Sequence, residues 1–128
     1  LVKPERDLLL AYDDPLGVTS AFNLNLLVRL NRDLAANFDL RGFVHRAFWN
    51  AAASRVEMHL VSTAEQHISI AGASLALTLR PGESIWTESS YKYTQDGITT
   101  LLTGCGFGAR AQWIDGTSPF ALTLAECG

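Results

Sequence analysis

The chain has 128 residues, about half of them apolar, with 10 basic and 13 acidic residues and a formal net charge of −3. That is enough for one ordinary domain with a packed core. Its basic residues are scattered singly with no Lys/Arg stripe, which argues against nucleic acid as a partner. Its longest apolar runs are far too short to cross a bilayer, which argues against a membrane. The two cysteines, Cys105 and Cys127, form neither a disulfide framework nor a metal pattern. They read as buried or half-buried small residues in a reducing, cytoplasmic setting. The chain opens on Leu1 without a methionine and reads as a processed protein or a fragment.

In chain order, Leu1-Val2-Lys3 resembles the end of a strand. Pro4, Glu5 and Asp7 suit the first turn of a helix that Leu8–Tyr12 completes. Asp13-Asp14-Pro15-Leu16-Gly17 is turn chemistry, with both aspartates as turn formers. Thr19 or Ser20 can cap a second helix. There Phe22, Leu26, Leu30 and Leu34 recur every four residues, Leu27 widens the stripe, and the helix ends near Asn37. Asn23 and Asn25 interrupt this pattern and are assigned structural hydrogen bonds. Asp39 can cap a third helix over Arg41–Trp49, whose Phe43, Ala47 and Phe48 share a face.

From Ser54 the apolar period changes from 3.6 to 2. Val56, Met58 and Leu60 mark one strand, His67–Ile70 a second and Leu75–Leu79 a third. After the Pro81-Gly82 turn, Ile85–Tyr93 makes the fourth strand of an antiparallel meander. Strict alternation there puts Trp86, Glu88, Ser90 and Lys92 on one side and Ile85, Thr87, Ser89 and Tyr91 on the other. Thr94 caps a helix through Ile98–Thr103, which Gly104-Cys105-Gly106 stops. Two strands, Ala109–Asp115 and Phe120–Ala125, follow with a turn at Gly116-Thr117-Ser118-Pro119. Helices first and strands after, without βαβ alternation, read as an α+β fold: N-terminal helices on a mostly antiparallel meander.

Few catalytic patterns are present. The Gly104/Gly106/Gly108 cluster follows a helix and lacks the phosphate-loop Lys-Ser/Thr. His45, placed on a helix, His59 and His67 match no metal-ligand spacing. No nucleophile elbow and no Cys–His pair is evident. An acid, a hydroxyl and an amine in line beside an aromatic, Glu88, Ser90, Lys92 and Trp86, which could read a small polar ligand, and the turn at Tyr12-Asp13-Asp14 are the features that stand out. A solvated edge-strand face is the plain alternative for the former.

Ala11-Tyr12-Asp13-Asp14, Gly17-Val18-Thr19, Phe22–Leu27, Val56–Val61 and Thr87–Tyr93 together resemble the S-adenosylmethionine-dependent histidine-specific methyltransferases, which make trimethylhistidine (hercynine) for ergothioneine biosynthesis. The resemblance covers the C-terminal part of such an enzyme. It implies a substrate-binding α+β domain over 1–91, with Leu1–Lys3 as the tail of a preceding strand. It implies that 92–128 is the helix and two strands that complete a Rossmann-like methyltransferase sheet. S-adenosylmethionine would bind to the part that precedes this chain, and the isolated chain would be inactive. It further implies Tyr12 at the substrate carboxylate, Met58 lining the pocket, and Glu88 and Ser90 holding the imidazole. These are roles in specificity and orientation, and no residue is implied to be catalytic. On that reading the Glu88 carboxylate accepts from one ring nitrogen, and the Ser90 hydroxyl adapts to a neutral or protonated ring. Alternatives are a relative acting on another amino acid or a non-catalytic small-molecule-binding module. Strands at 108–126 stripped of a covering sheet would expose edges that pair, so a homo-oligomer is expected of the isolated chain.

Overall fold

The computed structural model describes residues 1–117 and 119–128. Its elements are α1 (Glu5–Tyr12), α2 (Val18–Asp33), β1 (Phe43–Asn50), β2 (Arg55–Ser62), β3 (Gln66–Ile70), β4 (Leu75–Leu79), β5 (Ser84–Tyr91), α3 (Gln95–Gly104), β6 (Phe107–Asp115) and β7 (Phe120–Cys127). Short 3-10 turns at Leu40–Gly42 and Ala71–Ala73 join their neighbours. The α+β class is observed. The simple meander is not. β2 is the centre of a three-stranded antiparallel sheet, β1-β2-β5, while β3 and β4 form a separate hairpin and β6 and β7 another. The isolated bridge Ala36↔Ile70 ties the β3–β4 hairpin to the segment after α2. The turn expected between β6 and β7 includes Ser118, which lies outside the described residues.

The third helix expected at Arg41–Trp49 is a strand. Asp39 does accept from the Arg41 N–H, but the turn it caps ends at Gly42. Phe43 and His45 are buried while Val44 and Arg46 are exposed, a period of two. Phe43, Ala47 and Phe48 also fit a helical face, so the wrong period is available in the same residues. The aromatic and β-branched content, Phe, Val, Phe and Trp, favours the pleated surface.

The second helix is present, but its buried side is rotated from the predicted stripe. Phe22, Leu26 and Leu34 are exposed, whereas Leu27 is wholly buried and Asn23 nearly so. The ridge that enters the core runs through Asn23, Leu27 and Leu30, at i, i+4 and i+7. Asparagine is tolerated there because each buried amide has a partner. Asn31 pairs with Phe38 as a strand would, donating to its carbonyl and accepting from its N–H, both at 2.8 Å. Leu27 packs with Phe38, Phe43, Leu60, Ile68 and Ile70 in the central cluster. A side chain of this size contributes roughly 1.5–3 kcal/mol when fully buried.

The helix begins differently from expectation too. Neither Thr19 nor Ser20 caps it. Gly17 holds the left-handed conformation (φ 72°) at the N-cap position, and Asp14 reaches forward instead. The N–H groups of Thr19 and Val18 donate to its two carboxylate oxygens at 2.8 and 3.1 Å. Thr94 caps α3 as expected, accepting from the Gly97 N–H at 3.0 Å. Cys105, which ends α3, and Cys127, the last residue of β7, are free and exposed, not buried. No helix among the described residues is long and apolar enough to cross a membrane.

The two amide donors, that of Thr19 first, lower the Asp14 carboxyl from 3.8 to about 2. A carboxylate depressed on folding adds stability that is full above its unfolded value and is lost as pH falls through the folded one. Asp14→Ala should therefore lower the melting temperature at neutral pH. The gap to wild type should close as pH drops from 3.8 toward about 2. Thermal melts across that range check this, and a gap independent of pH would contradict it.

Candidate functional site

Helices α1 and α2 lie over one face of the β1-β2-β5 sheet, and which β5 side chains meet them is decided by a bulge. Strand β5 pairs Glu88 with Met58 and Trp86 with His59, so Thr87 is an extra residue on β5. The bulge is held by side chains: Thr87 Oγ1 donates to the Met58 carbonyl at 2.9 Å, and the Trp86 indole N–H donates to the Glu88 carbonyl at 3.0 Å. The alternation of β5 therefore slips by one. Ile85, opposite Leu60, faces the core, and Glu88 and Ser90, opposite Met58 and Val56, face the same side. Trp86 does not join them, contrary to strict alternation. It stacks on His59 on the outer face (5.8 Å between centroids, 13°) under the Arg55 guanidinium, 4.4 Å from the ring centroid.

Three of the polar side chains on the helix-facing side meet at one point. The Lys92 ammonium donates to Tyr12 Oη at 2.6 Å and to Ser90 Oγ at 2.7 Å, and the two hydroxyls are 2.7 Å apart. Tyr12 is the last residue of α1, so this knot joins the first helix to the end of β5 across 78 residues of chain. Lys92 also lies 4.5 Å from the Tyr12 ring centroid. Partial burial pushes the Tyr12 phenol up. The hydrogen bonds with Lys92 and Ser90 and the Lys92 charge outweigh that, leaving it below the usual tyrosine value, while the nearby Glu88 carboxylate opposes them.

Beside the knot is an open cleft of about 190 Å³. Glu88 and Thr87 line it from β5, and Phe22, Asn23, Asn25, Leu26 and Arg29 line it from α2. The rotation of α2 that buries Leu27 thus leaves Phe22 and Leu26 to form the apolar wall. Met58 is buried beneath, directly across the ladder from Glu88. Of the four residues singled out from sequence, Tyr12 and Ser90 are in contact, and Glu88 and Met58 are cross-strand neighbours on the same face.

Two further residues position this site. His45 on β1 is buried between the helices, with Nε2 2.7 Å from the Tyr12 carbonyl and Nδ1 2.9 Å from Asn23 Nδ2. A carbonyl can only accept and an amide NH₂ can only donate, so the ring is the Nε2–H tautomer. It therefore clamps the end of α1 to α2 and β1. Asn23 Nδ2 also reaches the His59 carbonyl at 3.5 Å. Placing His45 on a helix hid this role. Its spacing of two from Phe43 was the available signal. Lys92, which the sequence already sets in line with Glu88 and Ser90, meets two hydroxyls, those of Tyr12 and Ser90.

The model of the histidine-specific, S-adenosylmethionine-dependent methyltransferase family matches residues 1–127. The chain belongs to that family. It is 40% identical over 125 residues to the histidine N-alpha-methyltransferase of Mycolicibacterium smegmatis (strain ATCC 700084 / mc(2)155) and 38% identical to that of Mycobacterium tuberculosis (strain CDC 1551 / Oshkosh). Each match covers 98% of this chain and 39% of the relative, so the chain spans about two fifths of the length of these relatives. The family's sulfonium cofactor finds no fitting cradle among the described residues. Gly104, Gly106 and Gly108 follow α3, and no glycine-rich turn leads from a strand into a helix N-terminus. No residue here is assigned to it.

Because Asn23 and His45 satisfy each other in a buried setting, removing either leaves the other unpaired. Asn23→Ala and His45→Ala should each cost about 1–3 kcal/mol. The double variant should cost clearly less than their sum, because the partners share one interaction. Denaturant unfolding of the four proteins measures this, and strict additivity would contradict the clamp.

Proposed function

We propose that this chain is the substrate-recognition part of a histidine N-α-methyltransferase, with S-adenosylmethionine held by a portion of the enzyme outside it, and that it works in the hercynine step of ergothioneine biosynthesis. On this reading residues up to Tyr91 form the substrate domain, and α3, β6 and β7 belong to the methyltransferase sheet. The observation that carries it is the juxtaposition of Tyr12, Ser90 and Lys92 next to the Glu88 cleft, in a family whose description is histidine-specific.

The chemistry of histidine suits this arrangement. Glu88 and Ser90 sit two apart on one face of a strand, about 6.6 Å along it. A five-membered ring spans such a gap with a hydrogen bond of roughly 2.8 Å at each end. Glu88 accepts from a ring N–H, and Ser90 meets the other ring nitrogen. The Tyr12–Lys92 corner offers a positive charge to the substrate carboxylate. Among the described residues Lys92 takes part in no ion pair of its own. Phe22 and Leu26 supply apolar wall, and Met58 backs the strand behind Glu88. Ring and carboxylate fixed at two points leave the α-amine with one orientation, which is the contribution recognition makes to a transfer between two bound reactants. A site whose polar groups need both partners rejects amino acids that lack an imidazole, since those groups would be left unpaired.

In the intact protein, Glu88→Ala should weaken histidine binding by about 1.5–3 kcal/mol, roughly 10- to 150-fold in Kd, the range for a hydrogen bond to a charged group. Calorimetric titration of histidine in the presence of S-adenosylhomocysteine reads it. An unchanged Kd would remove Glu88 from the site.

A further inference from the structure

Two side chains of opposite charge, Glu88 on β5 and Lys92 just past its end, stand near the knot, and neither is neutralised by the other. They are four residues apart, roughly 13 Å along an extended chain. Among the described residues neither takes part in an ion pair. Glu88 is exposed at the cleft, whereas Lys92 is half-buried. A lysine ordinarily lays its stem along the protein and keeps its ammonium in water. The Lys92 ammonium instead makes part-buried hydrogen bonds to Tyr12 Oη and Ser90 Oγ, 4.5 Å from the Tyr12 ring centroid.

An ammonium has three donors and no acceptor. Two of the Lys92 donors are filled by hydroxyls, which satisfy them without supplying a counter-ion, and the third meets no acceptor among the described residues. This holds whichever of the two hydroxyls donates to the other. A charge drawn out of water without a counter-ion is costly. The chain nevertheless holds it there. The Lys92 N–H donates to the Ser54 carbonyl at 2.7 Å, and the Lys92 carbonyl accepts from Ser54 Oγ at 2.7 Å. Ser54 occupies the left-handed region (φ 49°) in the turn between β1 and β2. That turn is itself tied down, since Asn50 Oδ1 accepts from the Ala53 N–H at 3.0 Å. The lysine is thus pinned at both peptide groups, with its charge aimed at the place where the site lacks an anion.

We infer that Lys92 is a specificity-determining residue that supplies the counter-charge for the ligand's carboxylate, so the site takes the free amino acid and rejects the same side chain carried on an amine, an amide or a peptide. This rests on the histidine reading above and sharpens it: the ligand brings an N–H to the Glu88 end and an anion to the Lys92 end. Tyr12 alone does not impose that requirement. A phenol O–H donates to an amide carbonyl as well as to a carboxylate. An ammonium distinguishes the two by charge, because a hydrogen bond between ionised groups is roughly twice as strong as one between neutral groups. The role of Lys92 is therefore separable from that of the hydroxyls it touches.

The test uses L-histidine and L-histidinamide, in which a neutral amide replaces the carboxylate. Both are titrated calorimetrically into the intact protein with S-adenosylhomocysteine present. Wild type should bind the amide about 10- to 150-fold more weakly, the range for a hydrogen bond to a charged group. Lys92→Met keeps an unbranched side chain and removes the charge. It should weaken histidine by a similar factor and leave histidinamide nearly unchanged, so that the two ligands bind alike. Equal affinity of the two ligands in wild type would overturn the inference, and this comparison stands even where Lys92→Met does not fold. Equal weakening of both ligands in Lys92→Met would overturn it too, because the lysine would then only support Tyr12 and Ser90. Binding of neither ligand to wild type would overturn the histidine reading itself and this inference with it. Binding of histidine without preference over its amide overturns only the role of Lys92.

Discussion

The ammonium of Lys92, shared between Tyr12 Oη and Ser90 Oγ, is the contact on which the site depends. It joins the end of α1 to the end of β5, across 78 residues of chain. Each participant is brought there by a separate local device. The bulge at Thr87 turns Ser90 and Glu88 toward the helices. Ser54, in its left-handed turn, grips both peptide groups of Lys92. His45 holds the Tyr12 carbonyl, so the phenol leaves α1 at a fixed point.

The same construction explains why the core under α2 contains polar groups. A buried histidine and a buried asparagine cost stability unless they satisfy each other, and here they do. Their benefit is directional: apolar packing alone would leave α1 free to shift along the sheet, whereas a hydrogen bond to a single carbonyl sets its end. Rotating α2 to put Asn23 and Leu27 inward also places Phe22, Leu26 and Arg29 at the cleft. Stability and the shape of the cleft are thus coupled through one helix rotation.

Much of this was legible in the sequence, and the failures have physical causes. α1, α2, α3 and the strands after Ser54 follow from periodicity and turn residues, because those signals are local. β1 did not, because Phe43, Ala47 and Phe48 satisfy a helical face as well as a strand, and only its pairing with β2 decides. The partner of β5 was misplaced, since a meander is the default for consecutive strands, whereas β5 reaches past the β3–β4 hairpin to β2. The bulge is invisible to strict alternation, so Trp86 was grouped with Glu88 although it stands on the other face. Tyr12, Met58, Glu88 and Ser90 came from the family resemblance. Glu88 and Ser90 had also stood out in line, but the contact of Ser90 with α1 could not be read from spacing. The buried stripe of α2 was drawn through leucines and phenylalanine because a buried asparagine is recognised only once its partner is known.

The most direct measurement is ¹⁵N NMR of the lysine ammonium groups in the intact protein, with S-adenosylhomocysteine present and histidine added stepwise. Exposed lysines exchange their protons with water too fast to be seen, while an ammonium held by two hydroxyls and a carboxylate is protected. The account predicts a resolved Lys92 signal, absent in Lys92→Arg, that shifts and sharpens as histidine binds. A Lys92 ammonium that exchanges like the surface lysines and ignores histidine would contradict it.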